Sequence, residues 1–549
     1  METNSRRLPL FLAFAALAAA MFAYLRPWTF DGALNDDWAY LLPAHRLASM
    51  GRLRLTDWGS GTQIAQIFWG AFWTKIFGWS PGILRCLTLL LAFASGFVLS
   101  LLLEGSVASA AARLLAGLAL ILNPIALPLS VSFMTDIPYM TLMLGSLLAY
   151  RSALADDRDL PWLAASSLAA AAYLVRQTGI LIPLAPTALL LVGKRLTLPR
   201  AAKTWAIPVA AALGHAAWFH WAHGPTWASQ NYVWAATLAR MARPGAFLSE
   251  GIWRAYCLLA YAGLFCLPGG LALKAGRRSG LAWGAAAFFV ASGLVVWHRA
   301  GSFPYLENLF APATVGGLTL GGASFKPSGF LAARLFWTAT TILSIAGGAL
   351  LLRALAETAE NGIRERGASL LIVCSLLQAL ASLLGAKYFD RYILFLLPGA
   401  LALAFRGPWG KLRLAAGWAV LAATAAVSIL GTADYLAWNK AKWRLGLAAV
   451  GAGLKPPMII AGFDWGGYWG YEPAMEILKK TKPLDRIGEW EWQTVFPAVA
   501  IMSWKPPERV PWRPVAEEHY STPLSSRRGT IYLYKAGGQA PTFNSRASR

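Results

Sequence analysis

Apolar runs long enough to cross a lipid bilayer recur from residue 8 to residue 430, and they restrict this chain's fold more than any other feature. A bilayer core of about 30 Å requires roughly 18 or more apolar residues of helix. Inside it every backbone polar group must be bonded within the protein, which leaves helices or closed barrels. Here the runs are long and continuous, so they predict helices. Charge is correspondingly scarce: 14% of the 549 residues are charged and 57% are hydrophobic, whereas a soluble chain carries about 25% charged residues.

The expected spans are residues 8–25, 83–103, 110–130, 137–150, 162–175, 180–192, 205–221, 252–273, 281–297, 330–352, 369–384, 392–405 and 414–430, about thirteen in all. The first follows Arg6 and Arg7 and reads as an uncleaved membrane helix rather than a signal peptide. Residues 31–78 carry two helical stretches, 37–50 and 62–77, too polar or too amphipathic to span. Their Trp and Tyr content suits helices lying in the membrane interface. Basic residues gather in short loops: Arg6-Arg7, Lys194-Arg195-Arg200-Lys203, Lys274-Arg277-Arg278, Arg364-Arg366 and Arg406-Lys411-Arg413. Such loops stay in the cytoplasm, and an odd number of spans then puts the C-terminus outside. The net charge of +23 therefore reports orientation and not a nucleic-acid partner.

After residue 432 apolar runs vanish, charge rises, and short strand-like segments appear at 459–462 and 530–534. Residues 537–549 read as disordered. The expected fold class is an all-α polytopic membrane domain, 1–432, followed by a small extracytoplasmic α/β domain, 433–549. Cys86, Cys257, Cys266 and Cys374 all fall inside apolar runs without metal-ligand spacing, so they read as lone buried cysteines.

In this orientation, the polar residues at the outer ends of the spans face one surface. They are Asp36, Asp37 and Tyr40 in the first outer loop, Asp136 before Ile137-Pro138, Arg176 after the fifth span, and Lys387 and Arg391 after the eleventh. Acids and bases at the hydrocarbon edge are costly unless paired or functional. A carboxylate there can take a proton from an acceptor hydroxyl while cations hold an anionic leaving group. The plainer readings stay open beside this one. Asp36, Asp37 or Asp136 can cap a helix, Arg176 can be a structural ion-pair partner, and Arg391 can anchor its helix at the interface. Arg85, inside a span, reads as paired or snorkelling. His215, His220 and His223 read as interfacial packing or hydrogen-bonding residues, since no acid beside them completes a metal set. No P-loop, dinucleotide fingerprint, HExxH or GxSxG occurs.

Taken in order, these residues resemble a bacterial family of GT-C membrane glycosyltransferases. That family includes the protein O-mannosyltransferases and the aminoarabinose transferases acting on lipid A. The resemblance rests on Asp36, Asp37 and Tyr40 followed by Ala44 and Gly51, on Asp136 with Pro138, on Val175-Arg176-Gln177-Thr178-Gly179, and on Asp390-Arg391-Tyr392 followed by Leu396-Leu397-Pro398. It covers residues 8 to about 430 and departs at Arg176, where relatives often carry Lys.

The resemblance implies a polyprenyl-monophosphate sugar donor and inverting transfer to a lipid, glycan or protein acceptor outside the cytoplasm, in a bacterial inner membrane. It makes Asp36 the general base, with Asp136 assisting it or positioning the acceptor. Arg176, Lys387 and Arg391 would receive the phosphate, while Asp37 and Tyr40 would line the substrate. No cofactor is implied, and a divalent metal is left open. The rivals are a secondary transporter and a ligase that moves a glycan from a lipid diphosphate.

Overall fold

Helices form where the apolar runs lie, and small polar residues start them. Ser80 accepts from the Ile83 amide, with Pro81 as the first helical residue, and Ser109 accepts from Ala112. Glu365 accepts from Gly367 and Ala368. Each satisfies amides that a helix N-terminus leaves without partners. The computed structural model describes residues 2–60, 62–270, 280–306, 308–312, 314–320, 333–362, 365–385, 387–507, 512–524 and 527–536. The expected basic residues Lys274, Arg277, Arg278 and Arg364, and the tail 537–549, lie outside them.

The first half of the chain forms α1 (Glu2–Leu25), α2 (Trp38–Met50), α3 (Ile64–Phe77), α4 (Pro81–Leu102), α5 (Ala110–Ile121), α6 (Ala126–Ser130), α7 (Asp136–Asp156), α8 (Asp159–Tyr173) and α9 (Leu184–Val192). The second half adds α10 (Leu198–Trp218), α11 (Ala235–Met241), α12 (Pro244–Cys266), α13 (Gly280–Ala300), α14 (Arg334–Asn361), α15 (Arg366–Leu384), α16 (Leu397–Ala404), α17 (Lys411–Gly451) and α18 (Phe463–Thr481).

Among the described residues, seven helices are long and apolar enough to cross a membrane: α1, α4, α12, α13, α14, α15 and α17. This is an integral membrane architecture, but with fewer full-length spans than the thirteen or so expected. Several expected spans are broken. Residues 110–130 divide into α5 and α6 at Asn123, whose side chain accepts from Ile125 and Ala126 and donates to Ala119 and Leu120. That one amide closes the backbone groups the break exposes, which is what lets an interrupted helix stay within apolar surroundings. Residues 177–192 start as a tight turn, Gln177–Leu181, before α9. Residues 392–405 likewise divide into the turn Asp390–Phe395 and the eight-residue α16, which is buried throughout.

The polar ends of the helices gather on two opposite faces. On one, Arg7, Arg113 and Arg151 converge on Glu104 at 2.8, 3.4 and 3.8 Å, joining the start of α1, the segment after α4, the start of α5 and the end of α7. On the other lie the first loop, the starts of α2 and α7, and the segment after α15. There α2 and α3 pack together, and α3 exposes Phe68, Phe72 and Ile76 along one side. That stripe suits a helix lying in the interface.

The expected domain boundary after residue 432 falls inside a continuous helix. α17 runs for 41 residues, because Tyr435, Trp438, Ala441, Leu445 and Ala449 carry a buried stripe past the last apolar run. This extension packs against a four-stranded sheet of β1 (Ile459–Ile460), β2 (Ala500–Ser503), β3 (Trp512–Thr522) and β4 (Arg527–Ala536), in the order β1-β2-β4-β3. β1 and β2 are parallel, and the other pairs are antiparallel. The C-terminal layer is bolted on by a fully buried ion pair. Lys442 of α17 donates to both oxygens of Asp464 in α18, at 2.6 and 2.5 Å, and also to Asn439 and Thr319. Trp443 donates to Ala33 O at 3.0 Å, so the same turn of α17 grips the first loop.

Removing one partner of a buried pair strands the other charge, at a cost of about 3–5 kcal/mol, whereas replacing both by apolar groups can be neutral. Lys442→Met is therefore expected to lower stability by about that amount, and adding Asp464→Leu to restore much of it. Denaturation of the detergent-solubilised chain followed by Trp fluorescence measures both. Equal stability of Lys442→Met and the parent would contradict the bolt.

Candidate active site

Asp36 and Asp37 share a tight turn, Asn35–Asp37, entered through Asn35 at φ +53°. Asn tolerates that left-handed conformation better than most residues. The two acids diverge. Asp37 is fully buried, with Oδ1 accepting from the Leu34 amide at 2.7 Å and Oδ2 from the Phe133 amide at 3.2 Å. Burial pushes its carboxyl up to about 7, against the pull of Arg85 and the two amides. Asp37, expected to line the substrate, is engaged at both oxygens by backbone amides. Asp36 is partly accessible, and its Oδ2 accepts from Arg391 Nη1 at 3.3 Å.

The same device recurs at Arg391. Its neighbour Asp390 is buried, and Asp390 Oδ2 accepts from the amides of Leu309 and Phe310 at 2.7 and 2.9 Å. Burial raises this carboxyl to about 6. Asp390 thus fixes the turn Asp390–Phe395 against the loop after α13, and Arg391 projects from it.

Asp136 is the first residue of α7, whose N-cap, Thr135, makes no side-chain capping hydrogen bond. It is fully buried, and its Oδ1 accepts from Arg176 Nη1 at 2.9 Å, while the same nitrogen lies 3.2 Å from Thr135 Oγ1. Two carboxylate–guanidinium pairs therefore stand side by side, with aromatic rings between them. Arg176 lies over Phe395 and Tyr392, 4.9 and 5.4 Å from the ring centres, and Arg391 is 5.9 Å from the same Tyr392 ring. Tyr40 lies within electrostatic reach of all four charges, and its phenol is raised well above its ordinary value, chiefly by burial. It is held protonated, as a donor. Arg391 is raised in turn by Asp136 and Asp36, against burial, so it stays charged. Asp136 Oδ2 and Arg391 Nε are buried without a hydrogen-bond partner.

The structure thus brings Asp36, Tyr40, Asp136, Arg176 and Arg391 together. Lys387 stands at the rim, about half exposed, with its ammonium 3.3 Å from Glu489 of the C-terminal layer. The sequence reading quoted Asp390 and Tyr392 beside Arg391 without giving them a role, and it did not select Phe395 or Glu489. The Tyr and Phe follow Arg391 by one and four positions, but nothing in their spacing marks them as rings beneath guanidinium groups. His215 pairs with Tyr173 at 3.0 Å, and His223 accepts from the Leu55 amide at 3.0 Å. Among the described residues, no group of three or more His, Cys, Asp or Glu is placed to hold a metal ion.

Chemically, the cluster offers an accessible carboxylate able to accept a proton, two guanidinium groups suited to a phosphate, and a phenol donor. No protein-family model matches the sequence, and no curated protein matches it. Among solved structures, the chain is similar to the arabinosyltransferase EmbB from Mycobacterium smegmatis at a TM-score of 0.33 and 17% identity, over 84% of this chain and 42% of that one. The chain spans less than half of that protein's length, and a likeness this distant assigns neither family nor activity.

Asp37 gives a pH signature. Its carboxyl binds a proton up to about pH 7 in the folded chain but only up to about 4 when unfolded. Its contribution to stability is therefore full below about pH 4 and is lost as pH rises through 7. In Asp37→Asn, one amide loses its acceptor, a penalty of about 1–3 kcal/mol. The gap in melting temperature between parent and variant should narrow from pH 4 to pH 7. A gap that widens would mean that Asp37 is ionised in the fold.

Proposed function

We propose that this protein is a GT-C type glycosyltransferase that moves a sugar from a polyprenyl-monophosphate donor to an acceptor hydroxyl outside the cytoplasm. The observation that carries this reading is the adjacency of an accessible carboxylate, Asp36, to two guanidinium groups, Arg391 and Arg176, that flank one aromatic ring at an end of the helical bundle. The basic loops on the opposite face support a cytoplasmic N-terminus and an extracytoplasmic site. A bacterial inner membrane follows from the family resemblance.

In the reaction, Asp36 takes the acceptor's hydroxyl proton as its oxygen attacks the anomeric carbon. The bond from that carbon to the phosphate oxygen breaks, and its electron pair leaves with the polyprenyl phosphate. Arg391 and Arg176 hold the developing charge, and planar guanidinium groups suit phosphate through paired hydrogen bonds. Attack opposite the leaving group inverts the anomeric centre. Asp136 keeps Arg176 in place, Tyr40 donates to a substrate oxygen, and Lys387 steers the phosphate from the rim. The acceptor is a lipid, glycan or protein hydroxyl, and the layer after α17 covers the site.

Purified protein incubated with a panel of polyprenyl-monophosphate sugars and candidate acceptors should release polyprenyl phosphate, detected by mass spectrometry. Asp36→Asn is expected to reduce turnover by about 10²–10⁴-fold, the usual worth of a general base, with little change in melting temperature. Parent-like turnover in that variant would remove Asp36 as the base. Release only from lipid-diphosphate glycans would move the assignment to a ligase.

Arg391→Lys should keep the charge but lose the fork, and so retain more activity than Arg391→Gln. Equal activity of the two variants would argue against phosphate binding at this position.

A further inference from the structure

A cavity of about 260 Å³ opens on the face opposite the Asp36 cluster, between the last turns of α14 and the end of α16. Its inner wall is apolar, from Leu350, Ala354 and Leu403, and its mouth carries Arg353, Thr358, Asn361 and Arg406. Along α14 the apolar residues come first and the polar ones last, so the wall grades from the membrane interior toward water. A lipid headgroup with its chains matches that gradient.

The charge at the mouth is positive in spite of two helix C-termini, whose carbonyl groups would ordinarily repel an anion. Arg413 answers those carbonyls. It donates to Ala404 O and Arg406 O of the α16 end, and also to Gly269 O and Pro408 O. Glu357 is the one acid among the described residues of the lining and is engaged by Arg353 at 2.7 Å. Arg353 is itself nearly buried and stacked on Trp283, 4.4 Å from the ring centre. Arg406 donates to Thr358 Oγ1 at 2.8 Å and is thereby aimed across the mouth. Two guanidinium groups, Arg353 and Arg406, against one carboxylate leave the lining with a net charge of +1 around a space of headgroup size.

We propose that this cavity binds the phosphate of an anionic phospholipid, with Arg406 and Arg353 on the phosphate and an acyl chain against Leu350 and Leu403. One buried and one partly exposed guanidinium group at a membrane edge favour such a ligand electrostatically and by paired hydrogen bonds. The site is independent of the proposed glycosyl transfer and lies on the other side of the bundle.

The test is native mass spectrometry of the full chain in detergent, titrated separately with phosphatidylglycerol, phosphatidylethanolamine and inorganic phosphate. One phosphatidylglycerol should be retained per chain, in preference to phosphatidylethanolamine, and millimolar phosphate should not displace it. Arg406→Gln should weaken it tenfold or more. Leu403→Trp, which fills the cavity without altering charge, should weaken it equally. Lys194→Gln, an exposed cation in a basic loop on the same face, should leave it unchanged. Melting curves identify any variant that has lost its fold. Undiminished phosphatidylglycerol in both cavity variants would overturn the site, as would equal loss in Lys194→Gln. Displacement by inorganic phosphate alone would overturn the lipid assignment.

Discussion

Asp37 joins two loops through one carboxylate, and the candidate site depends on that junction. Its oxygens accept from Leu34 in its own loop and from Phe133 in the loop that leads to Asp136. Asp36 and Asp136 are thereby kept in register, although 100 residues separate them in sequence. Asp390 does the same for Arg391 by accepting from Leu309 and Phe310. At the end of a helical bundle, loop amides lack both the helix ladder and free access to water, so each needs an acceptor. A buried carboxylate supplies two acceptor atoms in a fixed geometry. Loops that carry reacting groups gain the rigidity that catalysis requires of them.

The site itself is held near neutrality. Arg391 with Asp36 and Arg176 with Asp136 form two adjacent pairs, and both guanidinium groups approach the Tyr392 ring. Unpaired, either cation would be costly so close to apolar surroundings. Paired, both remain charged and positioned before any substrate arrives. The proposed donor brings its own negative charge, which competes with the carboxylates for the guanidinium groups. Asp36 is the partner better able to give way, being accessible and bound at 3.3 Å, while buried Asp136 holds Arg176 at 2.9 Å. In the proposed reaction, phosphate on Arg391 would release the Asp36 carboxylate for proton transfer. Donor binding and base activation would then be one event.

Much of this was legible in the sequence because charge at the hydrocarbon edge is rare enough to notice. Asp36, Asp136, Arg176 and Arg391 stood out on that ground and are found together. Which of Asp36 and Asp37 faces the site was not legible. Both lie in one three-residue turn, where successive side chains point about 120° apart, and only the fold decides which one turns inward. The part played by Asp390, quoted in the motif Asp390-Arg391-Tyr392, was not legible for the same reason, since an acid that holds backbone amides beside an arginine has no distinguishing residue pattern. Lys387 finds Glu489 about a hundred positions away, and no local signal reports such a pairing. The breaks within expected spans were not legible, because apolar composition does not distinguish a continuous helix from α5 and α6 joined through Asn123. Hydropathy falls after residue 432, but the helical period of buried residues continues to Ala449, so the continuity of α17 was not legible there.

That continuation couples the C-terminal layer to the chemistry. Lys442 and Trp443 sit on one turn of α17: the first locks Asp464 of α18, and the second donates to Ala33, two residues before the turn that carries Asp36. Trp38, next to Asp37, packs against Phe463 and Tyr471 of α18. Trp58 of the first loop stacks on Trp227 and also contacts Trp490, which adjoins Glu489. The C-terminal layer is thus welded to the first loop through an ion pair and a nest of rings, and its Glu489 pairs with Lys387 of the segment that leads to Arg391. A layer attached to both of these segments cannot move without moving the groups they carry. Its placement therefore belongs to the definition of the candidate site.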